Sequence, residues 1–359
     1  MNVFDLEIPE KELESSLSRI YRQSVTIHRY EVEYKTKTPF KRVAAISLIL
    51  STVSGLKELQ CIIKEVATHE LIATSLANIL MKYSSPVVFW YKEASIGYWM
   101  LTENINKWID IVHPSRINET LVDGLYEIHS TMLGSTDALA ANFNSFPISD
   151  SSFLSSRARR SLTDLHKLSR DRVVIELFDD WSTTVDHIEK NLSLDIDFPM
   201  TWVHGNYHPS SVRGIVDSSS NVRVAVYDWM YSCISYPQMD LASLLDRIDI
   251  MSNGQGLQSP TPILLDRYES MLIDEFENID LEAFRDTYKF CYTCKMLPLL
   301  RWWTKCFIEH PTKEPERCIL EMDTKLKRLR EEEINDQSTS TEGSEEVDGE
   351  DTSKDESLS

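Results

Sequence analysis

The chain has 359 residues, 42% hydrophobic, with 14 Tyr, 12 Phe and 8 Trp, enough apolar surface for a folded body and a length that favours two lobes or domains over one core. Its formal net charge is −20; residues 331–359 hold twelve Asp/Glu and one Lys and so carry −11, which leaves −9 for the rest. That balance excludes a phosphate-rich polymer as partner, because nucleic-acid binding needs a basic face.

Taken in order, residues 1–19 are acidic with no apolar leader run, and residues 9–22 have the spacing of a short amphipathic helix. Three β-branched runs follow at 25–36, 42–53 and 58–66, separated by Thr38-Pro39-Phe40-Lys41 and Ser54-Gly55-Leu56-Lys57, and they predict an antiparallel meander. Lys64 lies near the end of the third run. Glu70 opens a helical stretch over 69–83, and a strand pair at 87–94 and 96–103 turns at Ser95–Gly97. From 116 the period becomes helical: 117–133, then a loop with a small helix over 134–160, then 161–192.

Residues 202–245 combine two turn-rich segments with short strands, and this is where polar side chains are placed for chemistry. Helices are expected over 240–250, 264–276 and 282–309, the last with Pro298 as a kink, and a charged helix within 311–330 should face solvent. The tail 331–359 lacks large apolar side chains and is expected to be disordered. Six cysteines occur, mostly in apolar company, and reduced buried thiols are the expectation; a single C-Y-T-C at Cys291–Cys294 is weak evidence for metal. No run of about 18 apolar residues is present, so no membrane span is expected and a cytoplasmic location is the simplest reading.

The residues His204-Gly205-Asn206-Tyr207-His208-Pro209-Ser210-Ser211, then Tyr227-Asp228-Trp229, then Pro237 and Asp240-Leu241-Ala242, resemble the core of the aminoglycoside phosphotransferase and choline kinase family. The family pattern is roughly H-G-D-x-H-P-x-N, a hairpin, I-D-W and P-x-x-D-L-A. The resemblance covers about residues 20–310. It implies a two-lobed α+β protein-kinase-like fold, with a small antiparallel-sheet N-lobe over 20–106 and a larger, mostly helical C-lobe over 107–330, preceded by a helical extension, 1–19, and followed by the tail.

The same resemblance implies ATP and Mg²⁺ as cofactors. Lys64 would hold phosphates, fixed by Glu70; Glu103 would lie at the interlobe hinge among the nucleotide contacts; and Asp228 would bind metal, since Mg²⁺ prefers carboxylate oxygen. His204 would brace the loop. Two positions depart from the pattern. Asn206 stands where the family has its catalytic Asp, and Ser211 stands where it has a metal-binding Asn. An amide has no negative charge and is no base. The loss of a general base is worth about 10²–10⁴ in rate, or about 3–5 kcal/mol of barrier. Met230 replaces an acid common after the D-W, and the turn 35–41 has three lysines and no glycine to cradle phosphate.

The preferred reading is therefore a nucleotide-binding pseudokinase or scaffold, with a protein partner; the alternative is an active ATP- and Mg²⁺-dependent phosphotransferase acting on a small-molecule hydroxyl. Asp246, Asp249 and Glu269 are acids that would suit a cationic acceptor, although they form no pattern.

Overall fold

The structure is a computed structural model. It describes residues 2–3, 6–38, 41–80, 85–95, 97–105, 114–142, 146–177, 181–216, 222–253 and 259–326. The acidic tail, the turn residues Pro39 and Phe40, the connector beginning at Asn106 and the end of the expected last helix lie outside these. The chain forms two compact units, residues 1–157 with 194–295, and residues 158–193 with those from 296 on.

The first unit begins with a two-residue ladder, β1 (Asn2–Val3) and β2 (Leu6–Glu7), and helix α1 (Glu10–Tyr21). The meander follows as β3 (Thr26–Thr38), β4 (Lys41–Thr52) and β5 (Gly55–Val66), then α2 (Thr68–Leu80), then β6 (Val88–Glu93) and β7 (Tyr98–Glu103). These strands make one antiparallel sheet in the order β3-β4-β5-β7-β6. The period-2 pattern assigns its faces. Ile46, Ile63 and Leu101 join Leu13 and Leu17 of α1 in one buried cluster, so the helix expected as an extension packs into the sheet's core. The alternate residues Lys64 and Met100 pair in register with one another and with Val43 on the opposite face.

The rest of this unit is mostly helical. It contains α3 (Pro114–Ser130), α4 (Thr136–Asn142) and the start of α5 (Ser151–Leu168). After residue 194 come β8 (Thr201–Val203), β9 (Val212–Val216), β10 (Val222–Val226), β11 (Cys233–Ser235), α7 (Gln238–Asn253), α8 (Thr261–Glu275) and the first half of α9 (Leu281–Glu309). Between α5 and β8 lies α6 (Trp181–Asn191), which belongs to the second unit. β9 and β10 form a hairpin, and β11 pairs antiparallel with β8.

The second unit joins the end of α5, α6, the end of α9 and a helix over 313–326. Arg301 bonds Asp164 at 2.8 Å, and Arg159 pairs with Glu189.

Three expectations change. The stretch expected as loop up to residue 160 is helical from Ser151, where the Asp150 carboxylate accepts the Phe153 amide at 2.8 Å. The single helix expected over 161–192 is two, α5 and α6. The helix over 313–326 is not a solvent-facing rod: Ile319, Met322, Asp323 and Leu326 are buried along one stripe.

Candidate functional site

The site sits where the sheet's Lys64 face meets the loops after β8 and β10. Lys64, on β5, forms an ion pair with Glu70 in the first turn of α2. Glu70 is buried, and its carboxylate is stabilised both by the ammonium and by its place at a helix N-terminus. The Lys64 ammonium also stands 4.0 Å from the Asp228 carboxylate, whose side chain is 40% exposed. Asp228 has φ 67° and ψ 52°, a left-handed conformation that Asp tolerates better than most residues and that turns the chain from β10 into a 3-10 turn over Trp229–Tyr231. The His69 ring donates to the Met230 carbonyl at 2.9 Å, so α2 is tied to the turn that follows Asp228.

A cavity of about 190 Å³ opens beside these groups. Val43, Ile62, Lys64, Met100, Thr102 and Asp228 are among its lining residues. Glu103 borders it as well, but strand parity puts its side chain in the row of Cys61 and Ile46, on the other face of the sheet. There burial pushes the Glu103 carboxyl up, and its charge helps raise Tyr21 and Cys61. What Glu103 offers the cavity is backbone.

The loop 204–211 is built on buried hydrogen bonds. Asp240, in the first turn of α7, is fully buried. It accepts the His204 amide at 2.6 Å and the Tyr207 amide at 3.3 Å. Its Oδ2 also faces His129 Nε2 at 3.5 Å, and the other nitrogen of that ring accepts the Tyr268 hydroxyl at 2.7 Å. Burial pushes the Asp240 carboxyl up, but the hydrogen bond from the His129 ring, helped by the Lys295 ammonium, outweighs it and holds the group below the usual range.

His204 donates from Nε2 to the Tyr227 carbonyl at 2.9 Å and accepts the Asn206 amide on Nδ1 at 3.3 Å. Both ring nitrogens are used by a neutral imidazole, and burial pushes its pKa down. His204 thus ties the Asn206 backbone to the residue before Asp228. Gly205 has φ 81°, and a Cβ there would lie 2.1 Å from the Tyr231 carbonyl oxygen, so only glycine lets the loop approach this turn. Trp229 stacks on Trp202 at 4.8 Å and donates to the Val226 carbonyl at 3.2 Å.

Asn206 Nδ2 lies 3.1 Å from His208 Nε2. An amide nitrogen only donates, so the ring nitrogen accepts, and His208 Nδ1–H then faces the Ser210 hydroxyl at 2.7 Å. The lone pair that would make His208 a base is engaged by Asn206. Ser211 is buried; its hydroxyl accepts the His208 amide at 3.0 Å and donates to the His208 carbonyl at 2.8 Å. It closes the turn, with one lone pair left over.

Among the described residues no group of three or more His, Cys, Asp or Glu side chains is placed to hold a metal. A single carboxylate on an open rim fits a Mg²⁺ that takes its other oxygens from phosphates and water, as this ion commonly does. The structure brings Lys64, Glu70 and Asp228 together, and joins Asn206 and Ser211 through His208. Sequence reading missed His129 and Lys295. The signal for Lys295 was a lone charge in the apolar run C-Y-T-C-K-M-L; that for His129 was a polar residue on the apolar stripe of α3.

The model of the phosphotransferase enzyme family matches residues 85–268, just over half of the chain, including the loop and Asp228 but not Lys64 or Glu70. No curated protein matches the sequence. Among solved structures, the GDP complex of a point mutant of aminoglycoside 2'-phosphotransferase-IIIa superposes with a TM-score of 0.52 at 12% identity, covering 91% of this chain and 99% of that one. A choline/ethanolamine kinase family protein from Mesorhizobium loti aligns at 15% identity over 83% of this chain and 87% of that one, with a TM-score of 0.49. The two-lobed protein-kinase-like fold is thereby established. With more than half of its length matched by the family model, this chain belongs to the phosphotransferase enzyme family.

Proposed function

We propose that the protein binds a nucleoside triphosphate in the cavity beside Lys64 and that it acts as a nucleotide-dependent binding module, with phosphotransfer weak or absent. The observation that carries this is the ion pair of Lys64 with Glu70, held 4.0 Å from Asp228. An ammonium fixed by a buried carboxylate is pre-positioned for phosphate oxygens, so little ordering is needed on binding. Val43, Ile62 and Met100 supply the apolar walls for a base. The solved relative that shows the fold is itself a GDP complex. Asp228 would take one Mg²⁺, which would neutralise phosphate charge. Ser211 would supply no equal second ligand, because its hydroxyl is engaged in the turn.

The weak step is proton removal from an acceptor. Asn206 is neutral, and its amide is spent on His208. One observation favours residual activity: the His204 ring bonds both the Asn206 amide and the carbonyl of Tyr227, next to Asp228, so the two remain positioned to orient a hydroxyl. A loose transition state needs orientation more than early deprotonation.

Calorimetric titration with ATP, with and without Mg²⁺, tests the reading. Binding that tightens with Mg²⁺, without ATP consumption across a panel of hydroxyl compounds, is expected. Absence of binding at millimolar ATP would sink it, and turnover would establish the active alternative.

A further inference from the structure

The five-stranded sheet has two edges, and they differ. One edge strand, β3, carries charged residues at Arg29, Glu31, Glu33, Lys35 and Lys37, the pattern by which edges resist pairing. The other, β6, has no charged residue over Val87–Tyr91, and no described strand lies beyond it. The Ala94 amide bonds the Gly97 carbonyl at 2.9 Å, which fixes the parity of the β6–β7 ladder. Trp90 and Lys92 therefore turn their backbone groups to β7, and Tyr91 turns its N–H and C=O to the open edge.

A cavity of about 550 Å³ runs along this edge, lined by Val87–Tyr91 and by α1 and α2. None of its lining residues lines the nucleotide cavity. From α1 it receives Glu12, Ser16 and Arg19, one polar stripe at helical spacing. Glu12 accepts the Trp90 indole N–H at 3.3 Å. Arg19 is exposed and has no partner among the described residues. From α2 come Ser75 and Asn78. Asn78 donates to the Thr74 and Pro86 carbonyls at 2.9 and 2.8 Å, which leaves its carbonyl oxygen to accept. Ile79 shares that face of α2 by its spacing from Ser75, and both Ile79 and Tyr91 are exposed.

We propose that the open edge of β6 takes up an extended peptide segment of a partner protein as a sixth strand, with an acidic side chain of that segment against Arg19. Outward N–H and C=O groups on a strand are matched by another main chain. A strand added at the usual spacing of about 4.8 Å would lie in the cavity. The unpaired guanidinium selects a carboxylate. The inference rests on the proposed function only in supplying the surface through which a binding module meets its partner.

A library of random octapeptides displayed on phage, selected on the full chain, tests it. Enriched peptides, labelled and titrated by fluorescence polarisation, are expected to carry an acidic residue. Arg19→Glu should weaken them about tenfold or more, as reversal of a charge-assisted contact does. Tyr91→Pro should weaken them roughly tenfold by removing an edge donor, and an edge strand accommodates proline where the N–H faces outward. N-methylation of alternate peptide amides should abolish binding in one parity and spare it in the other, a readout that needs no protein variant. Absence of enrichment, or equal effects of both methylation parities, overturns the proposal. A dimer that Tyr91→Pro dissociates would make a second copy the occupant instead, and competition by a synthetic peptide of residues 331–359 would make it the acidic tail. ATP titration of the same sample separates the readings: ATP binding without peptide binding removes this inference alone, and parity-dependent peptide binding without ATP binding removes the nucleotide reading alone.

Discussion

On the β-sheet side of the site, the Lys64 ammonium stands within 4.0 Å of the carboxylates of both Glu70 and Asp228. On the loop side, Asn206 and Ser211 are neutral and both are bonded to His208. The two sides share one frame, because His204 bonds both the Asn206 amide and the Tyr227 carbonyl. A decayed loop would be expected to loosen that frame. Here it is instead hydrogen-bonded through His204, His208 and Asp240, with the substituted residues among its members. On the proposed reading the difference separates holding a nucleotide, on the charged side, from orienting an acceptor, on the neutral side.

The largest expected effect comes from breaking the frame. Asp240→Ala removes a buried carboxylate that accepts the amides of His204 and Tyr207 and faces His129. It leaves two buried donors unpaired and should cost about 3–5 kcal/mol. Urea unfolding reads this directly, and a loss under 1 kcal/mol would show that the loop does not depend on it. Lys64→Met acts on the charged side. It should weaken ATP binding by about 1.5–3 kcal/mol, the range for a hydrogen bond to a charged group. Unchanged ATP affinity in calorimetry would mean that Lys64 does not hold the phosphates.

Acidification probes the frame more gently. Burial pushes the pKa of both His129 and His204 down. The folded protein therefore binds fewer protons than the unfolded chain once the pH falls below about 6.5, the unfolded histidine value. Stability is fully present above that value and declines as the pH drops, by up to about 1.4 kcal/mol per pH unit for each ring. Asp240, held below the ordinary carboxylate range, adds its own loss only below about pH 4. Urea midpoints at pH 7.5 and 5.5 should differ accordingly, and a flat profile would mean that these rings already carry a proton in the folded state.

Much of this was legible from the chain. Strand alternation located the sheet, and Lys64 and Glu70 were readable because a strand and the helix directly after it carry them. The start of α5 was not. Its buried positions there are Leu154 and Ala158, too sparse among serines and arginines to show a period. Glu103 was expected at the end of a strand, and β7 ends there, but its face of the sheet follows from the register with Cys61. The His129–Asp240 contact joins residues 111 positions apart, and nothing local announces it. Local pattern identifies elements; which polar groups meet beneath a loop depends on packing between them.

Ser211→Ala gives the smallest expected effect and decides the most about the loop. As a turn residue, Ser211 provides one accepted and one donated hydrogen bond to His208. Their removal should cost about 1 kcal/mol of stability. The dependence of ATP affinity on Mg²⁺ should not change, because Asp228 and the phosphates would supply the metal's oxygens. If that dependence falls while stability holds, the hydroxyl is a metal ligand, and the loop side keeps more of the transfer machinery than its hydrogen bonds indicate. The stability change and the Mg²⁺ dependence come from the same variant, so a turn role and a ligand role predict opposite pairs of results.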